Sequence, residues 1–236
     1  TIMGVGLDAY MVEPKLENGE LVFEKNCNVS RNTEVVASIK EPYSKEGGLK
    51  LLTGNIGRSV IKTSALKDEQ LYVKAPAMVF SSQEELKQAF RDGKLNKDFI
   101  AVVKFQGPKA NGMPELHGLL PIMGLIQNMG HKVAIVTDGR MSGASGKVPS
   151  AIHLAGEAAQ GGKINNILDG DMICLDVKNG KLSLEVSAEE LIQRVNKNKN
   201  FENKDLTYGR FLFKSIRDDV SNAEDGATIF KNYIEG

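Results

Sequence analysis

Two short segments decide the fold of this chain: residues 99–103, which read FIAVV, and residues 132–136, which read KVAIV. Both are nearly continuous runs of apolar, mostly β-branched residues, a pattern typical of strands that are covered on both faces. Each run is followed by a glycine-rich loop and then by a helical pattern, residues 115–129 after the first and residues 148–159 after the second. Strand, loop and helix repeated in this order predict βαβ units with parallel pairing.

The segments around this pair add antiparallel and helical elements. Residues 172–177 and 182–186 flank Asn179-Gly180, which is a strong hairpin signal. Ser82 and Ser187 are each followed three residues later by a glutamate, which predicts a capped helix start at both places. We therefore predict an α/β fold in a single domain with a mixed parallel and antiparallel sheet.

The predicted organisation has four parts. They are a lead-in with little regular structure at 1–46, a core at 47–195, a polar linker at 196–203 and a C-terminal helical segment at 204–236.

Composition excludes several classes of protein. The 236 residues are 41% hydrophobic and carry 30 basic and 30 acidic side chains, so we expect neither nucleic acid nor an anionic membrane as a partner. Cys27 and Cys174 are too few and too far apart for a disulfide framework or a complete metal–sulfur site. We expect a reducing, cytoplasmic environment. Because the chain opens on Thr1 without an initiator methionine, a fragment or processed product is expected.

Two loops have the composition of an anion site. Residues 106–115 (QGPKANGMPE) and 137–147 (TDGRMSGASGK) each follow a predicted strand and precede a predicted helix. Their glycines allow backbone N–H groups to approach a ligand, and a helix amino terminus favours negative charge. Neither a P-loop, nor a nucleophile elbow, nor a dinucleotide-binding glycine motif is present in them. The residues alone indicate a phosphate- or carboxylate-binding α/β domain and define no reaction.

Four longer strings carry a resemblance to a known family. They are GGLKLLTGNIGRSVIKTSA, APAMVF, VVKFQGPKANGMPELHGLLP and VAIVTDGRMSGASGKVPSAIH. They resemble the C-terminal domain of the dihydroxyacid/6-phosphogluconate dehydratase family, and the two loop strings are most similar to its 6-phosphogluconate branch. The resemblance implies the family's β/β/α swivelling, barrel-like domain.

The resemblance also implies an activity and its cofactors. The family removes water from a 2,3-dihydroxy acid, here 6-phospho-D-gluconate to 2-dehydro-3-deoxy-6-phospho-D-gluconate in the Entner–Doudoroff pathway. It uses an Fe–S cluster and a divalent ion such as Mg²⁺, and the family's cluster ligands lie in an N-terminal domain that this chain lacks. The chain alone is therefore expected to be inactive, and the full enzyme is expected to be a homodimer. Two alternatives stay open: a dihydroxyacid dehydratase and a non-catalytic phosphosugar-binding module.

The family's functional residues transfer to two positions. Ser142, in GRMSG, matches the serine proposed as the proton-abstracting base, although a turn hydroxyl is the commoner role for such a serine. Glu115, in GMPE, matches the glutamate ligand of the divalent ion, although a helix-end carboxylate is the alternative. The substrate-binding candidates are Arg58, Lys62, Lys109, Asn111, Arg140, Ser145, Lys147, Ser150 and His153.

Two further interpretations bear on these candidates. Arg58 and Lys62 would lie one helical turn apart if Gly57 precedes a helix, and both would then face one phosphate. His117 and His131 are interpreted as structural or exposed residues rather than catalytic ones.

Overall fold

The structure is a computed structural model in which the chain forms two compact units, Thr1–Glu46 and Gly47–Gly236. The residues that it describes are 2, 4–6, 10–25, 30, 32–142, 146–197 and 207–230.

The first unit contains a β-hairpin. Strands β1 (Val12–Glu17) and β2 (Glu20–Lys25) pair in antiparallel register through a two-residue turn. Asn18 and Gly19 form that turn with φ angles of 52° and 84°. Positive φ at both positions is what a tight hairpin turn requires, and asparagine followed by glycine tolerates it best. The expectation of little regular structure in 1–46 is wrong for this segment, because the residues on either side of Asn18-Gly19 pair along two six-residue strands.

Eight strands of the second unit close into a barrel. Their order around it is β10-β3-β4-β8-β7-β6-β5-β9, closed by pairing of β9 with β10. Strands β5 to β8 run parallel to one another in sequence order, as do β10 and β3, while the other neighbours are antiparallel. The predicted α/β fold with a mixed sheet is confirmed. The strands are β3 (Leu49–Gly54), β4 (Gly57–Lys62), β5 (Tyr72–Phe80), β6 (Phe99–Val103), β7 (Val133–Thr137), β8 (Ser150–Ile152), β9 (Met172–Asp176) and β10 (Lys181–Leu184).

The central strands are buried on both sides. Every residue of β6 and β7 is buried. Ile100 and Val102 point into the barrel, where they join the apolar cluster that fills it. Phe99, Ala101 and Val103 point outward into a second cluster with the helices α1 (Gln83–Arg91) and α3 (Leu120–Asn128). Successive residues of a strand point to opposite faces of the sheet. Because both faces of these strands contact apolar clusters, every position is apolar, and the sequence shows an unbroken apolar run.

Four further α-helices are described. They are α2 (Pro108–Asn111), α4 (Ala188–Lys197), α5 (Tyr208–Leu212) and α6 (Lys214–Asp219). Both capped starts are confirmed: Ser82 Oγ accepts from Glu85 N at 3.2 Å, and Ser187 Oγ accepts from Glu190 N at 3.1 Å.

Other helical expectations need correction. In 115–129 the α-helix begins only at Leu120, after a 3₁₀ turn. The helix expected at 148–159 is wrong, because Ser150–Ile152 pairs with β7 as strand β8 and is followed by only one 3₁₀ turn. Of the C-terminal helical segment expected at 204–236, the described residues 207–230 contain two short α-helices, Tyr208–Leu212 and Lys214–Asp219, and one 3₁₀ turn. Most of the predicted linker, 198–203, lies outside the described residues.

Within the described part of the chain, no helix combines the length and apolar character needed to cross a membrane.

Candidate functional site

The two glycine-rich loops meet at the edge of the barrel where β6 and β7 end. These strands are parallel neighbours, so the loops that leave them start side by side. Glu115, in the first loop, and Arg140, in the second, form a backbone bridge of the parallel type. Leu116 N donates to Arg140 O at 3.2 Å, which fixes the two loops in register.

The Glu115 carboxylate is the centre of this contact. Its Oε1 accepts hydrogen bonds from the backbone N–H groups of Ser142 and His117, both at 2.9 Å. Its Oε2 lies 2.9 Å from Arg140 Nη1, and Arg140 Nε donates to the Met113 carbonyl at 2.8 Å. The Glu115 and Arg140 side chains are 35% and 46% exposed, so the cluster faces solvent instead of being enclosed. The structure thus brings the predicted base and the predicted metal ligand into direct contact.

His117 also belongs to this cluster, although the sequence analysis interprets it as a structural or exposed residue. Its Nδ1 lies 3.4 Å from Ser142 Oγ. The two residues are 25 positions apart in the chain, and only the pairing of the two loops brings them together. The sequence offered no direct signal for this contact beyond a histidine two residues after the glutamate.

His153 lies beside the same cluster. It follows strand β8, has a positive φ of 54°, and donates from its backbone N–H to Gly139 O at 2.9 Å. Burial lowers the pKa of its imidazole, and the charge of Arg140 lowers this pKa further. Both effects favour a neutral imidazole next to the Glu115–Ser142 contact.

Lys109 and Asn111 are on the far side of the first loop, against the C-terminal segment. Lys109 Nζ donates to Asp218 O at 3.4 Å, and Asn111 Oδ1 accepts from Arg210 Nη1 at 2.9 Å. A cavity of about 540 Å³ opens there between Lys109 and residues 220–228. The structure therefore places these two candidates in the same loop as Glu115, where they contact Asp218 and Arg210 of the C-terminal segment.

Arg58 and Lys62 lie at opposite ends of strand β4, so the helical pairing expected for them is wrong. Four residues of a strand separate their Cα atoms by about 13 Å. Arg58 lies at the end of β4 that is nearer the candidate site. Its carbonyl accepts from Ala155 N at 2.7 Å, and its side chain forms an ion pair with Glu224 at 3.2 Å. Lys62 packs close to Gly146 instead. A Cβ built on that glycine would lie 3.6 Å from Lys62 Cδ. The two cations do not converge on one phosphate here.

Two further candidates, Lys147 and Ser150, make their hydrogen bonds outside the cluster. Lys147 is exposed in the loop that enters β8, where its carbonyl accepts from Gln70 and Gln127. Ser150 is buried and donates to Val148 O at 2.9 Å. Ser145 lies outside the described residues.

Comparison with known proteins places this geometry in a family. Residues 34–227 match the family model described as dihydroxy-acid/6-phosphogluconate dehydratase, C-terminal. The chain belongs to this family. Relatives include the phosphogluconate dehydratases of Rhizobium meliloti (strain 1021), 47% identical over 97% of the chain, and of Escherichia coli (strain K12), 46% identical over 97%. In both cases the chain spans 38% of the relative's length.

A relative with the other activity named in the family is also similar. The dihydroxy-acid dehydratase of Caldanaerobacter subterraneus subsp. tengcongensis is 40% identical over 70% of the chain and 30% of its own length. The relatives named phosphogluconate dehydratase therefore match more of the chain, at higher identity.

The described residues of this dehydratase-family chain do not fit a complete metal centre. They contain no group of three or more histidine, cysteine, aspartate or glutamate side chains arranged to hold a metal. Glu115 fits as a single oxygen ligand, and its carboxylate is already neutralised by Arg140. Cys174 is a free cysteine on β9, away from the two loops, and Cys27 lies outside the described residues. A divalent ion needs several oxygen ligands and an Fe–S cluster needs several thiolates, so this part of the chain supplies neither set.

Two buried carboxylates accept hydrogen bonds from backbone N–H groups of the loops. The sequence analysis predicts neither of them. Asp138 is fully buried and accepts from the backbone N–H groups of Gln106 at 2.9 Å, Phe105 at 3.2 Å and Ala158 at 2.9 Å. Burial raises the pKa of its carboxyl group, although these three hydrogen bonds oppose the change. Asp138 thereby ties together the starts of the loops that follow β6, β7 and β8.

Glu157 holds the next part of the first loop. Both of its carboxylate oxygens accept from Lys109 N, at 3.1 Å. Burial raises its pKa to about 7, with a further contribution from the charge of Asp138, while the hydrogen bond from Lys109 N opposes the rise. Gly107 packs directly on this side chain, since a Cβ at that position would lie 2.0 Å from Glu157 Oε2.

Proposed function

We propose that this chain is the C-terminal part of a hydro-lyase that converts 6-phospho-D-gluconate to 2-dehydro-3-deoxy-6-phospho-D-gluconate. The observation that carries the proposal is the contact of the Glu115 carboxylate with both Ser142 N and Arg140 at the mouth of the two loops. The names of the relatives that match most of the chain support the substrate. The reaction is a step of the Entner–Doudoroff pathway and takes place in the cytoplasm.

The elimination breaks two bonds of the substrate. Ser142 Oγ, as the alkoxide, takes the proton from C2, and the electron pair of that bond forms the C2–C3 double bond. The C3 hydroxyl leaves with the electron pair of its C–O bond, and the proton held on Ser142 Oγ passes to it, so that water is released and the alkoxide is restored. The resulting enol then becomes the 2-keto acid. A serine hydroxyl is a weak base, so nearby positive charge is needed to stabilise its alkoxide form. Within this chain the charge of Arg140 is balanced by Glu115, so the positive charge that stabilises the alkoxide would come from the cofactors of the complete site.

The cofactors proposed for this reaction are an Fe–S cluster and a divalent ion such as Mg²⁺. Because the described residues offer one carboxylate for the ion and no ligand set for the cluster, the other ligands would come from an N-terminal domain of the same enzyme. The solvent exposure of Glu115 and Arg140 supports a site that a further domain covers. The complete enzyme is proposed to be a homodimer.

Substrate contacts are proposed for the candidates that lie near the two loops. Arg140 and His153 flank Ser142, and Arg58, Lys109 and Asn111 lie at the same edge of the barrel. For Lys62, Ser145, Lys147 and Ser150, substrate contact stays a prediction from the sequence.

Turnover by the complete product of the gene that encodes this chain tests the proposal. We expect dehydration of 6-phosphogluconate in preference to 2,3-dihydroxyisovalerate, and no turnover by residues 1–236 alone. Ser142→Ala should retain the iron and the divalent ion of the wild type and lose about 10³-fold or more in kcat. A preference for 2,3-dihydroxyisovalerate would identify a dihydroxyacid dehydratase, and binding of 6-phosphogluconate without turnover would identify a phosphosugar-binding module.

A further inference from the structure

The cavity between Lys109 and residues 220–228, called the C-terminal cavity below, has a volume of about 540 Å³. This volume lies in the range of cavities that bind small molecules. We propose that the C-terminal cavity is a binding site for an open-chain polyol, which is a ligand that presents a row of hydroxyl groups. Its wall consists of Lys109, Gln160, Val220, Ser221, Asn222, Asp225 and Thr228.

Both sides of the cavity are held in place by hydrogen bonds within the chain. On one side, the buried carboxylate of Glu157 binds Lys109 N, and the 3₁₀ turn that ends at Gln160 follows Glu157 directly. On the other side, Ser221 N donates to Thr228 O at 2.9 Å, and Thr228 N donates to Ser221 Oγ at 3.0 Å. Because the backbone of the wall is already ordered, a ligand would bind there at a small cost in conformational entropy.

The polar side chains of the wall combine hydrogen-bond donors with acceptors. The Gln160 side chain is exposed and has no hydrogen bond to another described residue, so its amide group can both donate and accept. Asn222 Nδ2 donates to Asp225 Oδ2 at 3.2 Å, which leaves the Oδ1 atoms of both residues as acceptors. Lys109 Nζ makes one hydrogen bond within the described part of the chain, to Asp218 O at 3.4 Å. A hydroxyl group donates one hydrogen bond and accepts up to two, so the wall offers both kinds of partner that it needs.

Other classes of ligand fit this wall less well. The positive charge of Lys109 is accompanied by the negative charge of Asp225, so the described wall carries no excess positive charge to hold a small anion. An apolar or aromatic ligand needs a mostly apolar wall, whereas Val220 is the only purely apolar residue among those described here. The composition therefore favours a neutral chain of hydroxyl groups.

Two sources of ligand share this chemistry. One is the hydroxyl-bearing tail of the substrate, and for this source the inference rests on the proposed function. The other is a free sugar alcohol that binds in addition to the substrate.

Binding of D-glucitol to the complete gene product tests the site independently of catalysis, because glucitol lacks the carboxylate of a sugar acid. Ligand-observed NMR should show saturable binding. Gln160→Ala should raise the Kd about 3- to 10-fold, as expected for the loss of one or two hydrogen bonds. Gln193→Ala is the matched control, since Gln193 is exposed on α4, and it should leave the Kd unchanged.

Three results would overturn the proposal. They are the absence of saturable glucitol binding, equal Kd values for the two alanine variants, and a Gln160-dependent Kd for inorganic phosphate that is lower than the Kd for glucitol.

Competition in the dehydration assay with 6-phosphogluconate separates the two sources. Competitive inhibition by glucitol, together with a KM raised about 3- to 10-fold in Gln160→Ala, would identify the cavity as the part of the substrate site that binds the tail. Glucitol that binds without competing would identify a separate site for a free polyol. If glucitol binds as expected but the complete gene product does not dehydrate 6-phosphogluconate, the polyol site is supported and the proposed function is the part that fails.

Discussion

Replacement of Glu157 by glutamine should change how the stability of the chain depends on pH. The pKa of this buried carboxyl group is raised from 4.5 to about 7, mainly by burial. The folded protein therefore binds the proton more tightly than the unfolded chain does. The stabilisation is fully present below pH 4.5 and is lost as the pH rises through about 7. A pKa difference of this size corresponds to about 3 kcal/mol in the free energy of unfolding.

Urea unfolding of residues 1–236 between pH 4.5 and pH 8 measures this contribution. Glu157→Gln cannot lose a proton, so the free energy of unfolding of the variant, relative to wild type, should rise by about 3 kcal/mol across this interval. The glutamine also removes one acceptor for Lys109 N. This loss lowers the free energy of unfolding by the same amount at every pH, so it does not affect the change with pH. Glu189→Gln removes an exposed carboxylate and controls for the change in net charge. Parallel curves for wild type and Glu157→Gln, within about 1 kcal/mol, would refute the argument that burial holds this proton.

Three substitutions test the packing of the barrel. Gly54→Ala should lower the free energy of unfolding by about 3 kcal/mol, because the new Cβ would lie 1.6 Å from the Leu182 carbonyl oxygen where β3 meets β10. Gly47→Ala is the control, because a Cβ at Gly47 has no atom within 4 Å, and it should change the free energy of unfolding by less than about 0.5 kcal/mol in the same urea titration. A similar loss of stability in the two alanine variants would contradict the close contact at Gly54. Ser150→Ala should cost about 1 kcal/mol in stability, because its buried hydroxyl donates to Val148 O, and an unchanged free energy of unfolding would contradict this contact.

Local signals were sufficient for part of the fold. The helix that starts after Ser82 depends on a side chain and a backbone N–H three residues apart, and such contacts can be read from sequence. The hairpin around Asn179-Gly180 was likewise predicted from its turn residues, and β6 and β7 from their unbroken apolar runs.

Non-local pairing explains most of what was missed. Residues 150–152 form a strand because they pair with β7, which precedes them across the second glycine-rich loop, and with β4, which is far away in sequence. Arg58 lies on a strand because β4 forms a local hairpin with β3 through residues 55–56, a turn that the sequence analysis does not predict, and it pairs with β8 on its other side. Closure of the sheet into a barrel depends on the β10–β3 and β5–β9 contacts, which no sequence pattern predicts.

The candidate site was only partly accessible from sequence. The resemblance identified Glu115 and Ser142, and the structure shows that they touch. The buried carboxylates Asp138 and Glu157 were missed because a carboxylate in a polar loop normally faces water. Their burial results from three loops closing over them, which is a property of the assembled barrel.

The single oxygen that binds two N–H groups makes the two loops mechanically one piece. Insertion or deletion of a residue between β6 and Glu115 would displace the carboxylate and thereby release Ser142, which belongs to the other loop. Transplanting substrate preference from one member of the family to another by exchanging segments would accordingly require both loops, together with Asp138 beneath them, to be moved as a set.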